Sequence, residues 1–541
     1  MSDQYDFTLA WEGASGPNAP WGHLQVVQFK GHEAMSTLFR YELVVVAKIP
    51  GPEVDPQELI QKRATLRMKT LTDPPFRVVH GVITEAVELF HTNDGMLYRV
   101  VLMPPWARAM YRTRCRIFLD KTIRQIVDTV LQNDPNLHKV DGDTSDPDDG
   151  DFATYTTAAE HYTWRISNSP RIDQPTSRPF CVQYNESDYA FVARLLEDEG
   201  ISYHYENGRD KALLVLSDED AGRSRLAPFL PLGPGIQGRD IEQVRLGGRL
   251  RAQSVSLDDY NWHNPAVDML AQSASLQGQV AAPSFFQYTF PGGYPENSPQ
   301  QGQALATYIA ERYAVEASYA AGLSNSRVLF PGCIFAVQHP APRYDGEYLC
   351  TKVESVGNQP GVLTQPIPWV QNVPYTSEFE SNRRGKEGAV AESLFRPARA
   401  TPRPRIFGSQ TAYVTNEPTS QGATVHVGDM VGCVRLRFHW DREFDRHAKE
   451  PTSAWIRVSQ YMAGAGMGAV YHPRVGDEVV VDYLEGDPDR PIVSGRVYNG
   501  AKTPPAPSVG SPTISTIKTW SIPGGGQYNQ YLFDDKAGGE Q

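Results

Sequence analysis

Short runs of alternating apolar and polar residues, separated by turn formers, fill the N-terminal part of the chain. Leu24–Gly31 (LQVVQFKG), Arg40–Ala47 (RYELVVVA), Thr65–Thr70 (TLRMKT), Phe76–Leu89 and Leu97–Pro104 are rich in Val, Leu, Tyr and Phe. A side-chain period of two sends one face of each run to a core, and strands at this spacing predict a barrel or sandwich. The period then changes. Between Asp120 and Asn133, Ile123, Ile126, Val127 and Val130 recur at helical spacing, with Asp120 placed as an N-cap. A second helix is predicted between Asn185 and Gly200, with Ser187 or Asp188 as cap and Phe191, Val192, Leu195 and Leu196 as its buried stripe. Gly200 stops it, because a left-handed residue costs glycine least. Ile201, Tyr203 and Tyr205 then alternate as a strand.

From about 240 to 375 strands dominate again, interrupted by a helix over Gln300–Ala320. Arg327–Gly357 reads as strand, turn, strand, loop, strand, and this region is expected to form a second β-barrel with helices packed around it. Residues 376–405 lose sustained periodicity and are rich in Pro and Arg, which is linker chemistry. A compact all-β segment follows over 406–500. In VGCVRLRFHW, Val434, Leu436, Phe438 and Trp440 point inward and Arg435, Arg437 and His439 outward. SAWIRVSQYM is a further expected strand. Gly476–Asn499 supplies a hairpin whose Asp487-Pro488-Asp489-Arg490 fits a type I turn, its acids solvated or facing a neighbouring subunit. So many strands in so short a segment predict a small closed barrel of OB type. Residues 501–541 are extended, with no core of their own, and should pair with something. The fold class is therefore mainly β with inserted helices (α+β), over a 1–375 region, a 376–405 linker, a 406–500 barrel and a 501–541 tail.

Composition changes this picture little. The 541 residues, with 45 Gly, 42 Pro and 26 Tyr, suit strands and turns. A formal net charge of -12 gives no general attraction to phosphates, so no nucleic-acid partner is expected. Cys115, Cys181, Cys333, Cys350 and Cys433 are odd in number and none form CxxC, so they read as buried thiols in a reducing compartment. MSDQYDFTLAW has neither the basic nor the apolar region of a signal peptide, and no run approaches a membrane span. The chain is expected to fold in the cytoplasm and to leave, if it leaves, without a cleaved signal.

Several motifs invite a chemical reading that their context does not support. Gly233, Gly235 and Gly238 satisfy G-x-G-x-x-G, but Pro231 and Pro234 break the strand–helix context a dinucleotide needs. His32-Glu33 lacks the second His of a zincin. The acidic stretch Asp141 to Asp151 lacks the EF-hand order and reads as a solvated loop. Gly464–Ala469 (GAGMGA) has no Lys-Ser/Thr after it and reads as a flexible connection in the barrel. His339, His439 and His472 sit beside strands, without a G-x-S-x-G elbow. Arg396, Arg399, Arg403 and Arg405 suit a linker lying against an acidic surface better than a nucleic acid. No catalytic, cofactor-binding or metal residue is assigned.

VRLRFHWDRE, SAWIRVSQYMAGAGMGAVYHPRVGDEVVVDYLEGDPDRPIVSGRVYN and LFDDKAGGEQ closely resemble the VgrG spike proteins of bacterial type VI secretion. VQYNESDYAFVARLLEDEGISYHYE and PGCIFAVQHPAPRYDGEYLCTKV are similar to that family's N-terminal half. The resemblance implies a phage-hub-like region with two related barrels, an OB neck and the start of a trimeric β-helix stem cut short at Gln541. It implies a homotrimer seated on a hexameric Hcp tube and capped by a PAAR-type tip. Effectors, their chaperones and baseplate components are the other partners, and passage through target membranes is transient. The implied function is structural: a spike that punctures and delivers, exported from the cytoplasm to the outside or into a target cell. A spike-associated cell-wall hydrolase is disfavoured because about 40 residues after Asn499 are too few for a catalytic domain. The hub or spike of a phage tail or extracellular injection particle is the other alternative.

Overall fold

The computed structural model describes residues 5–14, 19–71, 75–141, 158–167, 170–174, 178–208, 211–227, 231–273, 285–294, 299–365, 367–385, 394–428, 431–524 and 526–540. Beyond Asp141 itself, the acidic stretch to Asp151 lies outside them. The chain divides into two units: Met1–Arg112, Ile123–Ser177 and Ser187–Thr401 form one, and Thr113–Thr122, Arg178–Glu186 and Pro402–Gln541 the other.

The first unit is built on an 11-stranded sheet. One half runs, in spatial order, Phe7–Trp11, Arg63–Lys69, Phe76–Thr92, Gly95–Met103, Arg40–Lys48 and Leu24–Ala34. The alternation read from the sequence is realised there: Tyr41, Leu43 and Val45 are fully buried on one face. They join Phe7, Trp11, Phe29, Leu66 and Tyr98 in one core. The seam of this half is stitched by one side chain. Gln359 accepts from the Phe7 N–H (2.9 Å) and donates to the Phe7 carbonyl (3.1 Å) and the Val26 carbonyl (3.0 Å). A buried amide thus takes the place of a ladder between the first strand and Leu24–Ala34.

The other half contains Gly346–Asn358, Tyr375–Gly385, Ser318–Ser324 and Ile241–Gly248, with Ile334–Val337 paired to the side of Gly346–Asn358. Its own core includes Leu232, Leu329, Phe335, Tyr348, Val353 and Phe379. The two barrel halves are joined by an antiparallel ladder from Ala34↔Lys352 to Gln28↔Asn358. Two expectations change here. Arg327–Phe330, expected as a strand, is irregular, and pairing begins at Ile334. Tyr375–Gly385, most of which falls in the expected linker, is a strand paired on both sides. Its alternation is partly hidden because two of its buried positions, Ser377 and Ser381, are polar by type and interleave with the buried Tyr375 and Phe379. Ser377 is satisfied by the Ser324 carbonyl at 3.0 Å.

The helices obey their local signals. Ser187 caps Asp188–Asp198 by accepting from the Ala190 N–H at 3.1 Å. Gly200 follows with φ +68°, and a Cβ there would lie 3.0 Å from Tyr308. The earlier helix starts at Ile123, so Asp120 is not its cap; Asp120 has φ 49° and donates its N–H to the Pro179 carbonyl. The third helix, Pro299–Ala317, packs Leu305, Ala306 and Ile309 against Val255 and Leu257.

Buried charges in this unit are paired. Arg77 meets Glu33 at 2.7 Å, and the Tyr41 hydroxyl donates to the same carboxylate. Arg108 pairs with Asp134 and Glu160, and Arg112 with Asp188. Burial raises Asp134, yet Arg108 outweighs it and holds the carboxyl below its ordinary range. Arg396 bonds Glu311 at 2.6 Å and the carbonyls of Gly200 and Asp218, and Arg399 stands 3.6 Å from Asp198. For Arg396 and Arg399 the expected acidic surface is thus the chain's own helices, while Arg405 donates to the Glu485 carbonyl at 2.5 Å.

Candidate functional site

The second unit closes around a core drawn from distant parts of the chain. Ala412, Val414, Val434, Leu436, Phe438, Ile456, Val479, Val481 and Val493 bury together with Ile117, Leu119 and Val182. Four strands, Arg435–Phe438, Gln410–Thr415, Glu478–Tyr483 and Pro491–Val497, pair in that order. The inward set Val434, Leu436 and Phe438 is as the alternation predicts, while Trp440 is half-buried and stacks on Phe438. The expected strand at 453–462 is a closing piece instead. Ile456 bridges Val434 antiparallel and Val458 bridges Val493 parallel, so this segment spans the two outer strands with a few bonds to each. Polar groups inside the barrel are satisfied: Ser453 Oγ accepts from the Leu436 N–H at 2.8 Å.

The Gly476–Asn499 hairpin forms as expected. The Arg490 N–H bonds the Asp487 carbonyl at 2.9 Å, and the Asp487 side chain accepts from the Asp489 N–H at 2.9 Å. Asp489 is half-buried. Its carboxylate accepts from the Val182 N–H at 2.7 Å, tying the turn to Phe180–Glu186. A bulge between Val480 and Val481 bends the pair, as barrel closure requires.

Two other hairpins carry apolar side chains into the open. Met462–Gly464 pairs with Met467–Ala469, so GAGMGA is a β-hairpin and not a slack connection. Gly468 has φ +145°, and a Cβ there would meet the Met462 carbonyl oxygen at 2.4 Å. Around it Tyr461 is 96% exposed and Met467 and Val470 66% each. In the tail, Ile514–Trp520 pairs with Tyr528–Asp534. Ile517, Trp520, Tyr528, Tyr531 and Phe533 are all more than half exposed, as an isolated two-stranded ribbon dictates. Such ribbons are marginal alone and offer open edges and apolar faces for pairing.

The tempting motifs resolve structurally. Gly235 and Gly238 have positive φ in a turn before Ile241–Gly248, with no helix following. His32 pairs with Glu354 and Glu33 with Arg77. His339 accepts from the Ala341 N–H, and His439 bonds Thr411. Sequence reading missed one buried trio: Asp441 is held by Arg446 (2.9 Å) and His447 (2.8 Å). The i, i+5 and i, i+6 spacing of these residues is the only signal it leaves. Among the described residues no cluster of His, Cys, Asp and Glu is placed to hold a metal ion. The site is therefore a small barrel with two hairpins that expose apolar side chains.

Residues 32–361 match the family described as phage tail baseplate hub, and residues 422–498 the type VI secretion system/phage-baseplate injector OB domain. The whole chain is 32% identical to the type VI secretion system spike protein VgrG4b of Pseudomonas aeruginosa and spans 62% of that protein. It is 29% identical to VgrG1a of the same organism over 96% of this chain and 74% of that one. The actin cross-linking toxin VgrG1 of Vibrio cholerae is 27% identical over 96% of this chain, which covers 44% of it. Among solved structures, an Escherichia coli type VI secretion component described as similar to phage T4 tail proteins gp27 and gp5 superposes with TM-score 0.59. It is 19% identical, over 91% of this chain and all of that one. A chain of a Francisella PdpA–VgrG complex gives TM-score 0.56 at 8% identity, over 98% of this chain and 83% of that one.

Proposed function

The chain belongs to the phage tail baseplate hub family, and within it to the VgrG spike proteins; on that premise we propose that it is the trimeric tip of a type VI secretion machine. Three copies form the spike, its hub region sits on a hexameric Hcp tube, and its apolar ribbons continue into a stem shared between the copies. A PAAR-type protein caps that stem, and effectors with their chaperones ride on it. The chain is assembled in the cytoplasm, anchored by baseplate components, and expelled through target membranes. Its role is mechanical, and no catalytic step is assigned to its residues.

One observation carries this reading. A hub-like double barrel and an OB barrel in one chain are followed by a ribbon, Ile514–Asp534, whose two faces are both exposed. A ribbon of this kind is stabilised by strands of other copies. Light scattering of the purified chain should give the mass of three chains, and negative-stain images a threefold ring with a tapered neck. Deleting the gene from its host should stop release of the tube subunit into the medium. A monomer at high concentration, together with undiminished release, overturns the proposal.

A further inference from the structure

In the second half of the large sheet, two cysteines that the barrel architecture does not require lie against each other. Gly332 and Cys333 together oppose Cys350: the Gly332 N–H bonds the Cys350 carbonyl (2.8 Å), and the Cys350 N–H bonds the Cys333 carbonyl (2.9 Å). With Gly332 at φ +92°, this is a glycine bulge, and regular pairing resumes at Ile334↔Leu349. The bulge is locked in place, since a Cβ at Gly332 would lie 2.4 Å from the His204 ring. Both thiols are fully buried in the same core, side by side across the bulge, and the Cys350 thiol stands 3.8 Å from the Lys352 carbonyl. Facing residues of an antiparallel pair have Cα atoms about 4.5–5.5 Å apart, inside the span a disulfide bridges.

We propose that Cys333 and Cys350 are a latent disulfide, reduced while the chain is in a reducing compartment and joined when it meets a peroxide. One sulfur attacks a peroxide oxygen and breaks the O–O bond, giving a sulfenic acid and one water. The second sulfur displaces that oxygen as a second water, forming the S–S bond. Both S–H bonds are lost, the sulfur pair gives up two electrons, and hydrogen peroxide takes them. Burial holds the Cys350 thiol above its ordinary range, so its thiolate is scarce and the reaction with peroxide is slow. The bond would close the connection between Ile334–Val337 and Gly346–Asn358. This inference stands on the bulge and the shared burial of the two side chains, not on the spike reading.

Peptide mapping of the intact chain tests it. Purified protein is freed of reductant, treated with hydrogen peroxide, unfolded in iodoacetamide and digested with trypsin without reduction. Cleavage after Arg327, Arg343 and Lys352 puts the two cysteines on separate peptides, Val328–Arg343 and Tyr344–Lys352. The expected product is these two peptides linked, two hydrogens lighter than their sum. It should arise in chain that keeps its native circular dichroism, vanish with dithiothreitol and be missing from Cys350→Ser. Both cysteines still alkylated after the half-buried Cys115 is fully oxidised would overturn the proposal. So would a link from Cys333 to another cysteine, or one found only in unfolded chain. The wild-type map decides by itself if Cys350→Ser does not fold.

Discussion

The two units solve burial in opposite ways. The N-terminal unit takes many charges inside and pairs several of them: Arg77 with Glu33, Arg108 with Asp134 and Glu160, Arg171 with Glu199. The C-terminal unit keeps its barrel core apolar, with the Asp441, Arg446 and His447 trio among its buried charges. It leaves aromatic residues such as Tyr461 and Tyr531 outside. Paired buried charges seldom add stability over apolar packing, but they penalise any other arrangement. Exposed apolar ribbons, by contrast, call for further strands.

Removing one partner of a buried ion pair should break that contrast most sharply. Arg77→Met strands the Glu33 carboxylate in the first unit and should cost about 3–5 kcal/mol. Adding Glu33→Gln should recover part of it, read by urea denaturation with the two signals followed separately. In the barrel, Leu436→Ala should cost about 2–5 kcal/mol through the cavity alone. No second substitution of a charge should restore it.

Acid distinguishes the units next. Burial opposes ionisation of Glu206, but His204 and Arg165 outweigh it and bring its carboxyl down to about 2 from the ordinary 4.5. A lowered pKa means stability that is fully present above about pH 4.5 and lost as pH falls through about 2. The loss should amount to about 3 kcal/mol, absent in Glu206→Gln, and thermal melts across that window measure it. In the second unit the lowered carboxyls Glu478 and Asp482 are surface groups, so its acid sensitivity should be smaller. Asp489→Ala removes the acceptor for the Val182 N–H and should cost about 1–3 kcal/mol, loosening Phe180–Glu186 in hydrogen exchange. Smallest of all, Ser187→Ala should lose about 1 kcal/mol of helix capping.

Much of this is legible along the chain because it is written in short periods. The inward Val434, Leu436 and Phe438, the Asp487–Arg490 turn, the Ser187 cap and the Gly200 stop all depend on residues within a few positions of each other. The long, specific barrel motif places the chain in its family for the same reason. The strand Tyr375–Gly385 escapes because Ser377 and Ser381 interleave with Tyr375 and Phe379 and interrupt the apolar run of its buried face.

By itself, the sequence determined most of the strands and helices, the hairpin turn at Asp487–Arg490, and which family the chain belongs to. Only the tertiary structure decided which strands meet. Leu24–Ala34 pairs with Gly346–Asn358, Gln359 closes the seam at Phe7, and Thr113–Leu119 with Phe180–Glu186 enters the core of the C-terminal barrel. Many strands here share one alternating pattern, so pattern cannot choose among partners. The choice falls to shape and to the satisfaction of buried polar groups across hundreds of residues. Those conditions exist only once the chain is folded.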